Sequence, residues 1–448
     1  MKIIIVGAVA AGTSAGAKAS RNDRQAAIVI YEKDTDISYA GCGLAYYIGG
    51  KVDALEQLAP RDPAYFKKKY NIDIFTEHEV LAINAEAKNV LVKNLRSGEV
   101  FTDPYDKLVL ATGASPFIPK IEGITDNRVF FLRNMNDARM IKTFIETHHP
   151  KTALVAGTGP LGLEILENLT ARKMDVTIVE LANQITQNLD RDMAADLENI
   201  LVNKGVKLIK SAGVTNITPA AAVLSNGQEV HADLIIMATG VRPNVSLAQK
   251  AGVATGVTGA IRTNLKLQTN IADIYACGDC VETYSAITGK PVFRPLGSTA
   301  NKLGRIAGHN VTGGTLEYKG NLSTSIVKFF DFTIASTGLS EKEALAEGFA
   351  VATCRIVTPD KPAYMHGEDL IIKGIADKAT GRFLGAQIIG KSGVDKRIDV
   401  FATLITYKAN ADELFHLDLA YAPQYSTPKD AVHYTGMVLD SVLHHGGD

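Results

Sequence analysis

The sequence predicts an α/β chain of two parallel-sheet units, one inserted within the other, followed by a C-terminal α+β module. Three observations carry this reading. An apolar strand runs into a glycine turn and a helix twice, at Gly7 and again at Gly157. Two more apolar strands, Leu108 to Leu110 and Leu234 to Met237, are each followed by Ala-Thr-Gly. Beyond residue 325 the pattern changes to short strands and one long helical stretch, with no further glycine turn of this kind.

The first unit opens with Lys2-Ile3-Ile4-Ile5-Val6, a β-branched run without a polar break, as a strand buried on both faces requires. Gly7-Ala8-Val9-Ala10-Ala11-Gly12 turns the chain into an Ala-rich helix over Thr13 to Ser20. The free N–H groups at that helix start can hold a pyrophosphate. The strand Ala26 to Tyr31 then delivers Glu32, with Lys33 beside it, at the distance where an acid accepts ribose hydroxyls. Val9 stands where the middle glycine of GxGxxG belongs, so this copy is imperfect.

The second copy is complete. Thr152 to Ala156 reads as a strand, Gly157-Thr158-Gly159-Pro160-Leu161-Gly162 as a full GxGxxG, and Leu163 to Lys173 as a helix. Asp175 to Val179 returns as a strand that ends in Glu180. Two such signatures about 150 residues apart, each ending in an acid, identify two dinucleotide sites. Ala111-Thr112-Gly113 and Ala238-Thr239-Gly240 mark counterpart turns beside each cofactor. Glu180 favours NADH, because a carboxylate repels a 2′-phosphate, and no arginine occurs between Glu180 and Arg191 to clamp one.

Cys42, in Ser38-Tyr39-Ala40-Gly41-Cys42-Gly43, stands alone downstream of the first signature. A thiol there can exchange electrons with a bound flavin, and with no second cysteine nearby it pairs with an external sulfur or cycles through a sulfenic acid. Cys277 and Cys280 have CxxC spacing, but they flank a segment expected to contact cofactor, so a redox pair is not expected. Cys354, in an apolar stretch, reads as a small buried hydrophobe. Four cysteines in 448 residues make no secreted disulfide framework, and the expectation is a reducing cytoplasm. A net charge of −1 favours neither nucleic acid nor a membrane surface as partner. No apolar run approaches the roughly 18 residues of a membrane span.

Ile274-Tyr275-Ala276-Cys277-Gly278-Asp279 and the tail Tyr421-Ala422-Pro423-Gln424-Tyr425-Ser426 complete an ordered set of motifs. Over essentially its whole length the chain resembles the single-cysteine pyridine nucleotide–disulfide oxidoreductases, the branch of coenzyme A disulfide reductases, NADH oxidases and NADH peroxidases. The resemblance implies FAD, NADH with NADPH possible, coenzyme A as substrate or bound thiol, and a homodimer. Gly278 and Asp279 match the segment that binds the ribityl chain, and Asn301 opens a helix, Asn301 to Gly308, that closes the FAD unit. The implied divisions are residues 1–114 and 246–325 for FAD binding, 115–245 for NAD binding and 326–448 for dimerisation.

By the same resemblance Glu164 lies near nicotinamide and flavin, the alternative being a solvated helix residue. Tyr425, with Tyr421 and Tyr364 behind it, is the proton donor to a leaving thiolate from the partner subunit, the alternative being a packed surface aromatic. Lys18 and Arg21 share a helix face suited to coenzyme A phosphates, beside Ser38 and Tyr39 of the cysteine segment. The Cys42 thiolate is expected to draw stabilisation from a helix N-terminus or from the flavin. Ala10 stands where the oxidases and peroxidases carry histidine, which favours the disulfide reductases. Ala45 replaces a usual proline, and Pro160 replaces an aromatic that shields the flavin, so an oxidase or peroxidase reading stays open. So does an electron-transfer or redox-sensing flavoprotein without a small disulfide substrate.

Overall fold

The computed structural model describes residues 1–445. Lys2–Val6 is the centre of a five-stranded parallel sheet, in the order Ile274–Ala276, Lys107–Leu110, Lys2–Val6, Ala27–Tyr31, Ile72–Phe75. Ile3, Ile4 and Ile5 are fully buried, as an unbroken apolar strand covered on both faces must be. The second parallel sheet, Val129–Phe130, Leu234–Met237, Thr152–Ala156, Asp175–Val179, Lys207–Ile209, repeats this order in its last four strands, but its edge strand Val129–Phe130 comes first in the chain where Ile274–Ala276 comes last. All of its strands lie, in chain order, before Ile274–Ala276, which nonetheless pairs with Lys107–Leu110 of the first sheet. An antiparallel ribbon of Ala114–Pro116 and Val241–Pro243 joins the outgoing and returning chain.

Both glycine-turn helices start earlier than the sequence pattern indicated, at Ala10 and Pro160, because the last glycine of each turn already lies in the first helical turn. Pro160 is tolerated at that position since its missing N–H has no intrahelical partner there. The Gly297–Asn310 helix lies backbone to backbone against Ala10–Asn22. A methyl on Gly304 would meet the Ala11 carbonyl oxygen at 2.3 Å, and one on Gly308 that of Ala15 at 2.1 Å.

The C-terminal module is a five-stranded antiparallel sheet in the order Ser325–Phe329, Phe332–Gly338, Phe383–Gly390, Asp369–Asp377, Val351–Pro359. Helices Val394–Thr406 and Ala431–His445 pack on it. Arg397 and Asp430 form a buried ion pair there, with Arg397 Nε 2.9 Å from Asp430 Oδ1 and Nη2 2.8 Å from Oδ2. Buried Lys373 joins the module to the second unit, 3.0 Å from Asp192 and 2.6 Å from Glu341. Among the described residues no helix is long and apolar enough to cross a membrane.

Candidate active site

The two glycine turns are built alike. Gly7 has φ +105° and Gly157 φ +113°, and a methyl on either would sit 2.3 Å from a carbonyl oxygen of the neighbouring strand end, Ala111 or Ala238. A methyl on Gly12 or Gly162 would run into the carbonyl of Gly7 or Gly157 in turn. Gly159 differs, because nothing lies within 4 Å of a methyl placed there. Val9 at the equivalent place therefore leaves the first turn intact, and the imperfect signature has the geometry of the complete one.

Neither Val9 nor Gly159 caps its helix with a side chain, whereas Asn134 and Asp137 form a full capping box on Met135–His148. The glycine-turn helices thus present unpaired N–H groups to a ligand, with Ala10 at the start of the first. Glu32 accepts from the N–H groups of Ala8 (2.7 Å) and Asp34 (3.0 Å); Glu180 accepts from Thr158 and Ala182, both at 3.0 Å. Burial pushes the Glu32 carboxyl up. Lys33 is exposed beside it. Thr112 donates to the carbonyl of Asn244 (2.7 Å), Gly113 accepts from the Asn244 N–H (2.9 Å), and Gly240 accepts from that of Phe117 (2.8 Å). Asn301 donates to Ser14 at 2.9 Å. A methyl on Gly278 would meet the Ala11 Cβ at 2.7 Å, which sets Asp279 beside the first turn. These residues fit an FAD in the first unit and a nicotinamide dinucleotide in the second.

Cys42 sits in a tight 3-10 turn, Gly41–Gly43, that leads into the Leu44–Gly49 helix. Ser38, held at φ +50°, ties this segment to the first glycine turn by donating its N–H to Ala8 O at 2.9 Å. The helix is pressed onto Pro160–Ala171, where a methyl on Gly49 would meet Asn168 Oδ1 at 2.1 Å. Tyr46, one helical turn after Cys42, consequently places its hydroxyl 3.4 Å from Glu164 Oε1. Lys51 stands 2.6 Å from Glu167 and 5.5 Å above the Tyr46 ring.

Cys42 is open to solvent yet ringed by protein. Burial, then Glu164 and Asp279, push its thiol up, and Arg133 acts the other way. The Cys42 turn opens directly into the Leu44–Gly49 helix, so a helix start lies beside the thiol, while the charges acting on it are mainly carboxylates. Burial pushes Glu164 up as well, against the hydrogen bond from Tyr46, so it is no ordinary solvated helix residue.

Cys277 and Cys280 are fully buried, their thiols pushed up by that burial, and Cys280 Sγ points to the carbonyls of Cys277 (3.3 Å) and Leu110 (3.6 Å). Cys354 is buried against Thr435 O. Lys18 is half-buried, and the Arg21 guanidinium lies 5.6 Å from the Tyr70 ring. Tyr39 is half-buried, and burial pushes its hydroxyl up. Tyr364, Tyr421 and Tyr425 are exposed by 70%, 49% and 68%, and the single chain makes no hydrogen bond among its described residues between them and the Cys42 segment. Tyr46, Lys51, Glu167 and Arg133 escaped sequence reasoning. Tyr46 was open to detection four residues after the cysteine on a helix, but nothing near Arg133 in sequence marks it.

Residues 1–295 match the pyridine nucleotide-disulphide oxidoreductase family, and residues 324–432 match its dimerisation domain. The chain belongs to this family of flavoenzymes, which use FAD and NAD(P)H. It is 35% identical to a coenzyme A disulfide reductase of Staphylococcus haemolyticus, over 97% of this chain and 98% of that protein. It is 36% identical to an NADH oxidase of Methanocaldococcus jannaschii, over 95% and 96%. The solved structure of an NAD-dependent persulfide reductase from A. fulgidus superimposes with a TM-score of 0.96 at 40% identity, covering 98% of this chain and 83% of that one.

Proposed function

We propose that this enzyme uses NADH to reduce coenzyme A disulfide, or a related small disulfide or persulfide, through Cys42. One observation carries the reading: of four cysteines, Cys42 alone is exposed and the others are buried as free thiols, so a disulfide at Cys42 takes its second sulfur from outside the chain. The substrate class is supported by the names of the coenzyme A disulfide reductase and persulfide reductase relatives.

Bound FAD and NADH supply the two electrons. Within the chain, the bond between Cys42 and the small thiol breaks as it accepts them. Cys42 keeps its sulfur as thiolate, and the other sulfur leaves with a proton. Cys42 then attacks the next disulfide, forms a new bond to one of its sulfurs and expels the second as a thiolate, which takes a proton from a donor. Tyr425 of a partner subunit is our candidate donor; its exposure on the single chain agrees with a place at a dimer face. Lys18, Arg21, Ser38 and Tyr39 are the proposed contacts for coenzyme A. We place the FAD unit at residues 1–114 and 246–325, the NAD unit at 115–245 and the dimerisation module at 326–448, and we place the enzyme, as a homodimer, in the cytoplasm.

Cys42→Ser should keep FAD while abolishing disulfide reduction, and electron uptake in an anaerobic dithionite titration should fall from about four to about two per subunit. Unchanged uptake would rule out the redox role. Mixed Cys42→Ser and Tyr425→Phe subunits should regain activity if the site is shared, and verified heterodimers without recovery would count against that arrangement. The second reading, an NADH oxidase acting through a Cys42 sulfenic acid, is favoured by the M. jannaschii relative, and oxygen consumption without disulfide turnover would establish it.

A further inference from the structure

Ala431–His445 is the last helix of the C-terminal module, and the Asp430 side chain caps its start, accepting from the Val432 N–H at 3.0 Å. Three residues on, at the place where a capping box carries glutamate or glutamine, stands His433, whose Nδ1 accepts from the Asp430 N–H at 3.1 Å. The other ring nitrogen, Nε2, lies 2.9 Å from the Leu417 carbonyl oxygen. A carbonyl only accepts and a backbone N–H only donates, so these partners require a single proton, on Nε2, and the ring is the neutral imidazole. His433 thereby ties together the two ends of residues 417–430, which form no helix or strand of their own. Tyr421 and Tyr425 lie on this segment, both exposed. Lys396 holds its middle by donating to the Tyr425 carbonyl at 3.2 Å, and Tyr425 and Ser426 donate their N–H groups to the carbonyl of Ala422.

Of the charged groups around this ring, Asp430 stands at the start of the same helix. Arg397 (2.9 and 2.8 Å) and Lys396 (3.5 Å) of Val394–Thr406 engage that carboxylate, so its charge is already compensated. The exposed His416 and Asp418 flank Leu417 in the chain, and the Phe415 ring stands edge-on to His433 with centroids 6.4 Å apart. We propose that neutral His433 is a positioning residue of disulfide turnover, which holds both ends of segment 417–430 so that its tyrosines keep one arrangement. A second proton, on Nδ1, would point at the Asp430 N–H, donor against donor, and imidazole takes such a proton between about pH 5 and 8. The hold is present at the alkaline end of that window and lost as pH falls, and the placement of Tyr425 goes with it. This inference rests on the reading that Tyr425 serves Cys42 of the partner subunit.

The FAD-loaded enzyme is compared at about pH 5.5 and about pH 8 by hydrogen–deuterium exchange with mass spectrometry, with rates corrected for intrinsic exchange. His433→Gln supplies an acceptor and a donor that do not titrate, and His433→Leu supplies neither. In the wild type the hydrogen-bonded amides of Tyr425, Ser426 and Asp430 should exchange roughly fivefold faster at the lower pH, as loss of one hydrogen bond predicts. The Gln variant should show no such change, and the Leu variant should be fast at both. A Gln variant as pH-sensitive as the wild type, or a wild type indifferent to pH, overturns the hold. If the Leu variant fails to fold, the comparison of wild type with the Gln variant decides alone. Coenzyme A disulfide turnover and stopped-flow reduction of FAD by NADH then test the reaction role. Turnover that falls at low pH in the wild type but not in the Gln variant, with FAD reduction equal in both, supports it, and full turnover with a loosened segment overturns it. An enzyme without disulfide turnover at any pH sinks the substrate reading, and exchange still decides whether His433 holds the segment.

Discussion

Gly157→Ala and Gly159→Ala differ by two positions in one turn and should differ widely in cost. Gly157 sits at φ +113°, where a side chain is strained by about 1–2 kcal/mol, and a methyl there would lie 2.3 Å from the Ala238 carbonyl oxygen. Relieving such an overlap by moving backbone costs about 1–3 kcal/mol more. The total of about 2–5 kcal/mol is a large share of the 5–15 kcal/mol that typically holds a folded domain. At about 2–4 °C per kcal/mol, the melting temperature of the FAD-loaded protein should drop by about 4–20 °C. Gly159 has φ −67° and open space around a methyl, so its substitution should cost under about 1 kcal/mol, mainly through a poorer helix cap. Scanning calorimetry of both variants at matched FAD content measures the difference. Equal losses, or a larger loss for Gly159→Ala, would refute the geometric account of why Val9 is tolerated in the first turn.

Glu164→Gln removes the carboxylate whose charge, after burial, most raises the Cys42 thiol, so alkylation of Cys42 should become faster near neutral pH; an unchanged rate would show that the two groups do not interact. Glu180→Ala should narrow the preference for NADH over NADPH in steady-state kcat/KM, and a wild-type preference for NADPH would place the selectivity elsewhere. Asp430→Asn leaves Arg397 buried without its counter-charge and should destabilise the C-terminal module by about 3–5 kcal/mol in denaturant unfolding. Burial would raise Asp430, but the Arg397 guanidinium outweighs it and holds the carboxyl below its ordinary value. The stability it contributes is therefore present above the unfolded carboxylate value and lost as pH falls below about 5, a loss that the Asn variant should not show at this site.

The sequence by itself determined the two parallel-sheet units, since β-branched runs ending in glycine turns are local patterns whose backbone consequences do not depend on distant residues. It also determined the lone status of Cys42, because the spacing of four cysteines is a property of the chain alone. What surrounds that sulfur was decided by tertiary structure. Glu164 meets Tyr46, one helical turn after the cysteine, because the Leu44–Gly49 helix packs on Pro160–Ala171 closely enough to exclude a methyl at Gly49. Arg133 reaches Asp279 across 146 residues of sequence, from a helix start whose capping box fixes the backbone but says nothing of where the guanidinium points. Charge acts through space, whereas motifs record neighbours along the chain. The ionisation of Cys42 therefore had to wait for the fold.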